Sequence, residues 1–335
     1  MNHRFLLVRL GSMGDVIHAI PTAAALRARF PEARIDWLVD PRYVALLEMV
    51  PGIDSRIVVN TRRPARTLAT LRDLRRVGYT AAIDLQGLLK SAMLARAARA
   101  ERTIGFTSEH LRERTAAPFY THRVDPRGAA HVIFKNLTLL EPLGSRDTRV
   151  AFPLEIPYSA VSDSVSARFD NASYAAINPG AAWPNKRWPR DRFGALAAGI
   201  RDRCGLRSLV LWGPGEQSLA EEVTRASNGA AELAPATSIT DLFAIARRAR
   251  VLISGDTGPL HIGGAVGTPL VALFGPTLAS RNGPWSAADV VISRTDSCSC
   301  LYRRRCRRNA ACIDDIQLPE VLEAVERRLA MPRGA

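Results

Sequence analysis

The sequence predicts an α/β protein made of two successive doubly wound, Rossmann-like lobes with a cleft between them. Three observations lead there. The chain has 335 residues, more than one hydrophobic core usually organises. Short β-branched or apolar runs alternate with segments of helical period, the pattern of a parallel sheet covered on both faces. That alternation weakens once, from Ser145 to Ser173, where Pro153, Pro157 and several serines fall, and then restarts. The expected divisions are an N-terminal lobe over 1–155, a C-terminal lobe over 172–315 and a terminal helix over 316–335.

In the first lobe, Arg4–Arg9, Arg34–Val39, Arg56–Val59, Thr80–Leu85 and Arg102–Phe106 read as strands. Val16–Phe30, Pro41–Val50, Ala65–Val77 and Ala130–Leu143 read as helices, the last stopped by Gly144. Pro21 inside the first helical pattern predicts a kink or a delayed start. In the second lobe the strands are Tyr174–Asn178, Ser208–Trp212, Val251–Ser254 and Leu270–Phe274. Its helices are Arg190–Arg203, Glu216–Ala226, Ile239–Arg248 and Pro259–Val266, followed by the amphipathic Pro319–Leu329. Ser238 with Asp241 three residues on gives the third of these a capping-box start.

Lys and Arg number 46 against 32 Asp and Glu, a formal charge of +14 with a pI near 10.5. The excess implies an anionic partner, either a phosphorylated substrate or an acidic membrane surface, although solvated Arg-rich helix faces such as Arg247–Arg250 explain part of it. No RNA-module aromatic signature or zinc-finger spacing accompanies the charge, so nucleic acid is disfavoured. No uninterrupted apolar run approaches the roughly 18 residues of a membrane span, and Met1–Leu10 reads as a buried first strand instead of a secretory signal. A cytoplasmic protein is expected.

Chemistry is expected where strands end in glycine-rich turns. The first strand runs into Gly11-Ser12-Met13-Gly14-Asp15, a tight turn whose free N–H groups favour an anion. Asp15 there is either a carboxylate general base or a helix cap, and His18 follows one turn later. Asn178-Pro179-Gly180-Ala181-Ala182 opens the second lobe, with Lys186-Arg187-Trp188-Pro189 just beyond. This suits a diphosphate cradle with a fixed ammonium, or equally a surface turn with Trp188 docked in the core. Leu211-Trp212-Gly213-Pro214-Gly215-Glu216 ends in a carboxylate able to take ribose hydroxyls, or simply to complement a helix dipole. Ser254-Gly255-Asp256-Thr257-Gly258-Pro259 then turns into a helix carrying His261, its Thr257 and Gly258 N–H groups placed for a phosphate. One such turn is ordinary; four of them, split over two lobes, exceed what turn chemistry needs.

Four of the five cysteines cluster late, at Cys298, Cys300, Cys306 and Cys312, among Arg303, Arg304, Arg305, Arg307 and Arg308. Their spacing matches no standard zinc ribbon, and the cations would favour thiolates. A metal site, a redox pair and a solvent-accessible loop of reduced thiols are the readings, the last being the expectation.

Taken together, Val8–His18, Asp84-Leu85-Gln86-Gly87-Leu88-Leu89-Lys90-Ser91, Lys186–Pro189 and Gly255–His261 resemble one family, the ADP-heptose:lipopolysaccharide heptosyltransferases. These are inverting glycosyltransferases of the two-lobed GT-B type, and the resemblance runs from Phe5 to the terminal helix. It implies transfer of L-glycero-D-manno-heptose from ADP-heptose to the Kdo/heptose inner core of lipopolysaccharide. It further implies Asp15 as the base that deprotonates the acceptor, Lys186 against the departing diphosphate and Glu216 on the donor ribose. Gly180, Ala181, Ala182, Asp256, Thr257, Gly258 and His261 would line the donor site. Gly14, His18, Arg62, Arg63, Gln86 and Lys90 would meet a Kdo-lipid A or heptosylated core acceptor, with Arg66 and Arg123 as further candidates. Such enzymes stabilise the leaving group with cations and helix dipoles, so no metal and no cofactor is expected. Peripheral attachment to the anionic inner face of the inner membrane follows from the charge. Gln86-Gly87 with Lys90-Ser91 resembles the first heptosyltransferase and the Cys-rich tail the second, which leaves the subtype open. The alternatives are a related transferase using another nucleotide sugar or a protein acceptor, and a non-catalytic nucleotide- or polyanion-binding protein.

Overall fold

The computed structural model describes residues 3–60, 64–306 and 308–333. It divides into two compact units, Met1–Glu155 and Ile156–Ala335. Each unit is built on one six-stranded sheet in which every pairing is parallel.

The first unit runs β1 (Arg4–Val8), α1 (Met13–Ile17), α2 (Ile20–Arg29), β2 (Arg34–Val39), α3 (Val44–Glu48), β3 (Ser55–Val58), α4 (Pro64–Val77), β4 (Ala81–Asp84), α5 (Leu89–Ala97), β5 (Arg102–Phe106), β6 (His122–Val124) and α6 (Val132–Thr138). Its strand order is β3-β2-β1-β4-β5-β6. The chain winds outward from β1 in one direction and from β4 in the other, so the order reverses between these two central strands. In open parallel sheets ligands bind at that reversal, outside the carboxyl ends of the strands. β1 and β4 are apolar and buried over almost their whole length, as a strand covered on both faces must be.

The second unit repeats the plan with α7 (Ala160–Arg168), β7 (Ala175–Asn178), α8 (Arg190–Cys204), β8 (Ser208–Val210), α9 (Gln217–Ala226), β9 (Ala231–Leu233), α10 (Ile239–Arg248), β10 (Val251–Gly255), α11 (Gly258–Ala265), β11 (Leu270–Phe274), α12 (Ala279–Asn282), β12 (Val290–Ser293) and α13 (Leu318–Ala330). The order β12-β11-β10-β7-β8-β9 reverses between β7 and β10. α13 belongs to this unit's core: Val321, Leu322, Ala324 and Val325 join the cluster that holds Phe193, Leu196 and Ile200 of α8. Its Arg328 is buried and donates Nε to Asp289 at 2.9 Å.

Several elements differ from the sequence expectation. The pattern over Val16–Phe30 is two helices, broken at His18 and Ala19, with Pro21 in the first turn of α2 where its missing N–H costs nothing. Ala130–Leu143 is α6 followed by a single 3-10 turn, Glu141–Leu143, that Gly144 closes in the left-handed conformation at φ 79°. The supposed connection from Ser145 to Ser173 contains α7, whose serine-rich sequence hides its period. Ser159 caps it by accepting from Ser162 N at 2.9 Å. β6, β9 and β12 are edge strands; β6 and β9 are three residues long with polar side chains, whereas β12 is an apolar run the sequence reading passed over.

Candidate active site

In the first unit the two central strands deliver adjacent loops. Val8 of β1 is paired with Asp84 of β4, so the residues following each emerge side by side. Leu10 N donates to Gln86 Oε1 at 2.9 Å, which ties the Gly11–Asp15 turn to the Gln86–Gly87 turn. Asp84 anchors the second turn from below. Fully buried, it accepts from Gln86 N at 2.8 Å, Gly87 N at 3.2 Å, Ser91 Oγ at 2.8 Å and Tyr120 OH at 2.7 Å. Burial pushes its carboxyl up, and these four donors oppose that shift. Gly87 takes φ 68°, a conformation that few other residues tolerate, to fold its N–H back onto Asp84.

Asp15 is the cap of its helix and also keeps an exposed carboxylate face. At the third position of α1 it accepts from Ser12 N at 3.1 Å and Ser12 Oγ at 2.9 Å, capping the helix. Its other oxygen pairs with the guanidinium of buried Arg9, which also donates to Leu85 O. The carboxylate keeps 28% of its surface exposed, so a substrate hydroxyl can reach it. Lys90 is exposed in the first turn of α5, and Gln86 is half-buried. His18 is 1% exposed, with its ring 5.4 Å from that of His131, and its carbonyl accepts from Asn136 Nδ2 at 3.3 Å. Its burial takes it off the accessible surface on which Asp15 stands. Arg62 and Arg63 lie outside the described residues. Arg123 is exposed on β6 and donates Nε to Ala117 O at 3.1 Å.

The second unit assembles its loops at the corresponding reversal. Asn178 of β7 is paired with Ser254 of β10. Asn178 Nδ2 lies 3.0 Å from Gly180 O, 3.1 Å from Ser254 Oγ and 3.1 Å from Thr257 Oγ1, so one buried amide fixes both glycine turns. Lys186 donates Nζ to Asp256 Oδ2 at 2.6 Å and to Asp256 O at 3.2 Å, and lies 4.7 Å above the Trp183 ring. Asp256 is 4% exposed in its side chain, and also meets Thr277 Oγ1 at 2.8 Å and His261 Nε2 at 3.4 Å. Burial pushes this carboxyl up, but the His261 hydrogen bond and the Lys186 charge outweigh it and hold the group well below the usual carboxylate range. Lys186 retains 15% exposure. An ammonium held over an aromatic face by a buried carboxylate is a preset cation for a phosphate.

Glu216 accepts from Gly213 N at 3.2 Å and lies 3.9 Å from Arg187. It packs so closely on Gly180 that a Cβ there would sit 2.0 Å from Glu216 Oε2. Gly180 is therefore glycine because the carboxylate occupies the side-chain position. Arg187 Nε donates to Ala181 O at 2.8 Å. Trp188 is buried in the core, edge-on to Phe193 at 5.0 Å, with its indole N–H on Ile316 O at 2.9 Å. The docked Trp188 fixes the segment that carries Lys186. Thr257 is the N-cap of α11, Gly258 and Pro259 form its first turn, and His261 is buried one turn on.

Each unit thus brings its chemistry-bearing loops to the strand reversal, with a reachable carboxylate in one and a clamped ammonium in the other. A family model described as "Glycosyltransferase family 9 (heptosyltransferase)" matches residues 67–311. The chain belongs to glycosyltransferase family 9. Among curated relatives, lipopolysaccharide heptosyltransferase 1 of Pseudomonas aeruginosa is 27% identical over 90% of this chain and 87% of its own length. Lipopolysaccharide heptosyltransferase 3 of Escherichia coli is 26% identical over 94% of this chain and 95% of its own. Among solved structures, a family 9 glycosyl transferase from Veillonella parvula superposes with TM-score 0.84 at 25% identity, covering 98% of each chain. E. coli heptosyltransferase WaaC with ADP shares the fold at TM-score 0.78 and 22% identity, covering 97% of this chain and 99% of its own. The α/β, two-sheet GT-B architecture and the glycosyltransferase class read from the sequence therefore stand.

Two contacts in these sites had no role assigned from the sequence. Arg9 lies in the Val8–His18 motif and Thr277 follows Gly275-Pro276, but only folding sets them against Asp15 and Asp256. The cysteine expectation needs correction. Cys300 and Cys312 are fully buried, and the Sγ atoms of Cys298, Cys300 and Cys312 lie within 4.8 Å of one another, which is no solvent-accessible loop. Nor do the arginines lower the Cys300 and Cys312 thiols. Burial and the neighbouring sulfurs push Cys300 up to about 11 and Cys312 up to about 12. The Arg303–Arg305 run is exposed, so water screens its charge while the sulfurs are buried.

Proposed function

We propose that this protein is an inverting heptosyltransferase that moves L-glycero-D-manno-heptose from ADP-heptose to the Kdo/heptose inner core of lipopolysaccharide. The observation that carries the reading is the Lys186–Asp256–His261 constellation at the strand reversal of the second unit, in a family whose relatives are named for this transfer. The second unit holds the donor. Thr257, Gly258 and the Gly180-Ala181-Ala182 turn offer backbone N–H groups to the phosphates, and Glu216 takes the ribose hydroxyls. The first unit receives the acceptor at Asp15, with Gly14, Gln86 and Lys90 as its further partners.

In the reaction Asp15 accepts the proton of the acceptor hydroxyl as its oxygen bonds to the anomeric carbon. The bond from that carbon to the diphosphate oxygen breaks with inversion, and ADP leaves with the electron pair. Lys186 meets the charge that grows on the departing diphosphate, a contact stronger in the transition state than before it. Asp256 and His261 keep the ammonium in place between turnovers. The charge of +14 draws the enzyme to an anionic membrane surface as a peripheral protein. Among the described residues no helix is long and apolar enough to cross a membrane.

The test is ADP release from purified protein given ADP-heptose, with and without Kdo-bearing lipid A. Release should require the acceptor and should fall at least roughly a hundredfold in Asp15→Ala while ADP binding survives. Normal turnover in that variant would remove Asp15 as the base. ADP binding with no acceptor-dependent release would redirect the reading to another sugar or acceptor.

A further inference from the structure

Outside the donor loops, the second unit contains a buried cluster of sulfur that the transfer reaction does not use. Cys300 and Cys312 are fully buried, Cys298 is half-buried, and their three Sγ atoms lie within 4.8 Å of one another. Cys298 and Cys300 sulfurs are 3.5 Å apart, and the Cys306 thiol hydrogen-bonds Cys300. Metal–sulfur bonds of about 2.3 Å in a tetrahedron place the sulfurs about 3.8 Å from one another. A disulfide would need about 2.05 Å between one pair and would leave the others idle. The sulfurs of Cys298, Cys300 and Cys312 are spaced for one shared ion.

The surroundings agree with that. Asn185 Nδ2 lies 3.5 Å from Cys300 Sγ and donates to Arg303 O at 2.8 Å, the kind of outer hydrogen bond that orients a coordinating sulfur. Gly275, just beyond β11, allows the cluster to approach the sheet: a Cβ there would stand 3.3 Å from Cys312 Sγ and 2.9 Å from Ile313. A divalent ion with four thiolates is dianionic, and Arg303, Arg304, Arg305 and Arg308 are the neighbouring sequence that would balance it. The loop also leads to the donor side, since Arg304 lies 5.9 Å from the Trp183 ring that carries Lys186, and Asn185 is next to Lys186 in sequence.

We propose that Cys298, Cys300, Cys306 and Cys312 bind one structural metal ion of the thiolate-preferring class, zinc or iron. Bound there, it pins the arginine-rich loop to the Trp183–Lys186 segment. Binding displaces the thiol protons to solvent and changes no oxidation state. The ion takes no part in transfer; its effect on donor binding rests on the donor-site reading above, whereas its presence does not.

Elemental analysis of the purified wild type should find about one zinc or iron per chain, and the element found says which. Anaerobic replacement by cobalt(II) should give thiolate-to-cobalt charge-transfer absorption and the intense visible bands of a tetrahedral site. Cys300→Ser and Cys312→Ser should lose the metal; Cys298→Ser, at the half-buried position, covers the case in which those two fail to fold. Cys204→Ser, on α8, should keep the full complement. Wild-type protein with less than about 0.1 metal per chain and no cobalt–thiolate bands would overturn the proposal. So would a metal content that survives Cys298→Ser and Cys312→Ser together. Loss of metal without loss of ADP affinity would leave the metal site standing and detach it from the donor loop.

Discussion

Asp256→Asn exchanges a buried carboxylate for an amide of nearly the same shape, which isolates charge from packing. The wild-type group is 4% exposed and 2.6 Å from the Lys186 ammonium, with His261 and Thr277 as further partners. Breaking a buried pair by removing one partner costs about 3–5 kcal/mol, because the other charge stays behind without compensation. The amide keeps one hydrogen bond, worth about 1 kcal/mol, so a loss near 3 kcal/mol is expected. For a unit of this size that lowers Tm by roughly 6–12 °C. Thermal unfolding followed by tryptophan fluorescence suits the measurement, since Trp183, Trp188, Trp212 and Trp285 all lie in this unit. The pH dependence has a definite sign. Burial raises the Asp256 carboxyl, but the His261 hydrogen bond and the Lys186 charge hold it below its unfolded value near 3.9. Its contribution is therefore fully present above that value and is lost as pH falls through the depressed one. The gap between wild type and variant should be flat at neutral and alkaline pH and should close only from about pH 4 downward. Adding Lys186→Met should restore part of the loss, with an interaction energy above about 1 kcal/mol. A single variant within about 0.5 kcal/mol of wild type, with strictly additive effects in the double, would refute the buried-pair argument.

Three further outcomes follow from single contacts. Gly180→Ala puts a methyl where Glu216 Oε2 lies, 2.0 Å away, so Glu216 must swing out and ADP affinity by calorimetry should fall about tenfold, equal to about 1.4 kcal/mol. Arg9→Met removes the guanidinium paired with Asp15. The kcat should drop about tenfold at unchanged ADP affinity, because a carboxylate no longer oriented costs catalysis and not donor binding. Tyr120→Phe strips one donor from buried Asp84 and should cost about 1–3 kcal/mol in denaturant unfolding. Burial already raises the Asp84 carboxyl, so this deficit should be largest at neutral and alkaline pH and shrink as pH falls through the raised value.

Much of the molecule was legible before folding because its signals are local. Strands buried on both faces read as apolar runs, and a glycine turn after such a run marks a helix N-terminus. Hence β1, β2, β4, β7, β10 and β11 and the four glycine turns at strand ends were all visible in the chain. α7 and the edge strands β6 and β9 were not, since serine-rich or polar sequences half-exposed to water carry little period.

What the sequence determined by itself was the repeated α/β plan and the residue types at the strand ends. It could name Asp15 and Lys186 and leave each with two readings. Only the tertiary structure decided which groups stand beside them: Arg9 against Asp15, Thr277 and His261 against Asp256, Glu216 in the place of a Gly180 side chain, and sulfurs from Cys298 to Cys312 gathered under Asn185. The physical reason is one of range. Periodicity and turn chemistry act between neighbours along the chain, whereas ion pairing, burial and close approach act between residues that only the parallel pairing of distant strands brings together.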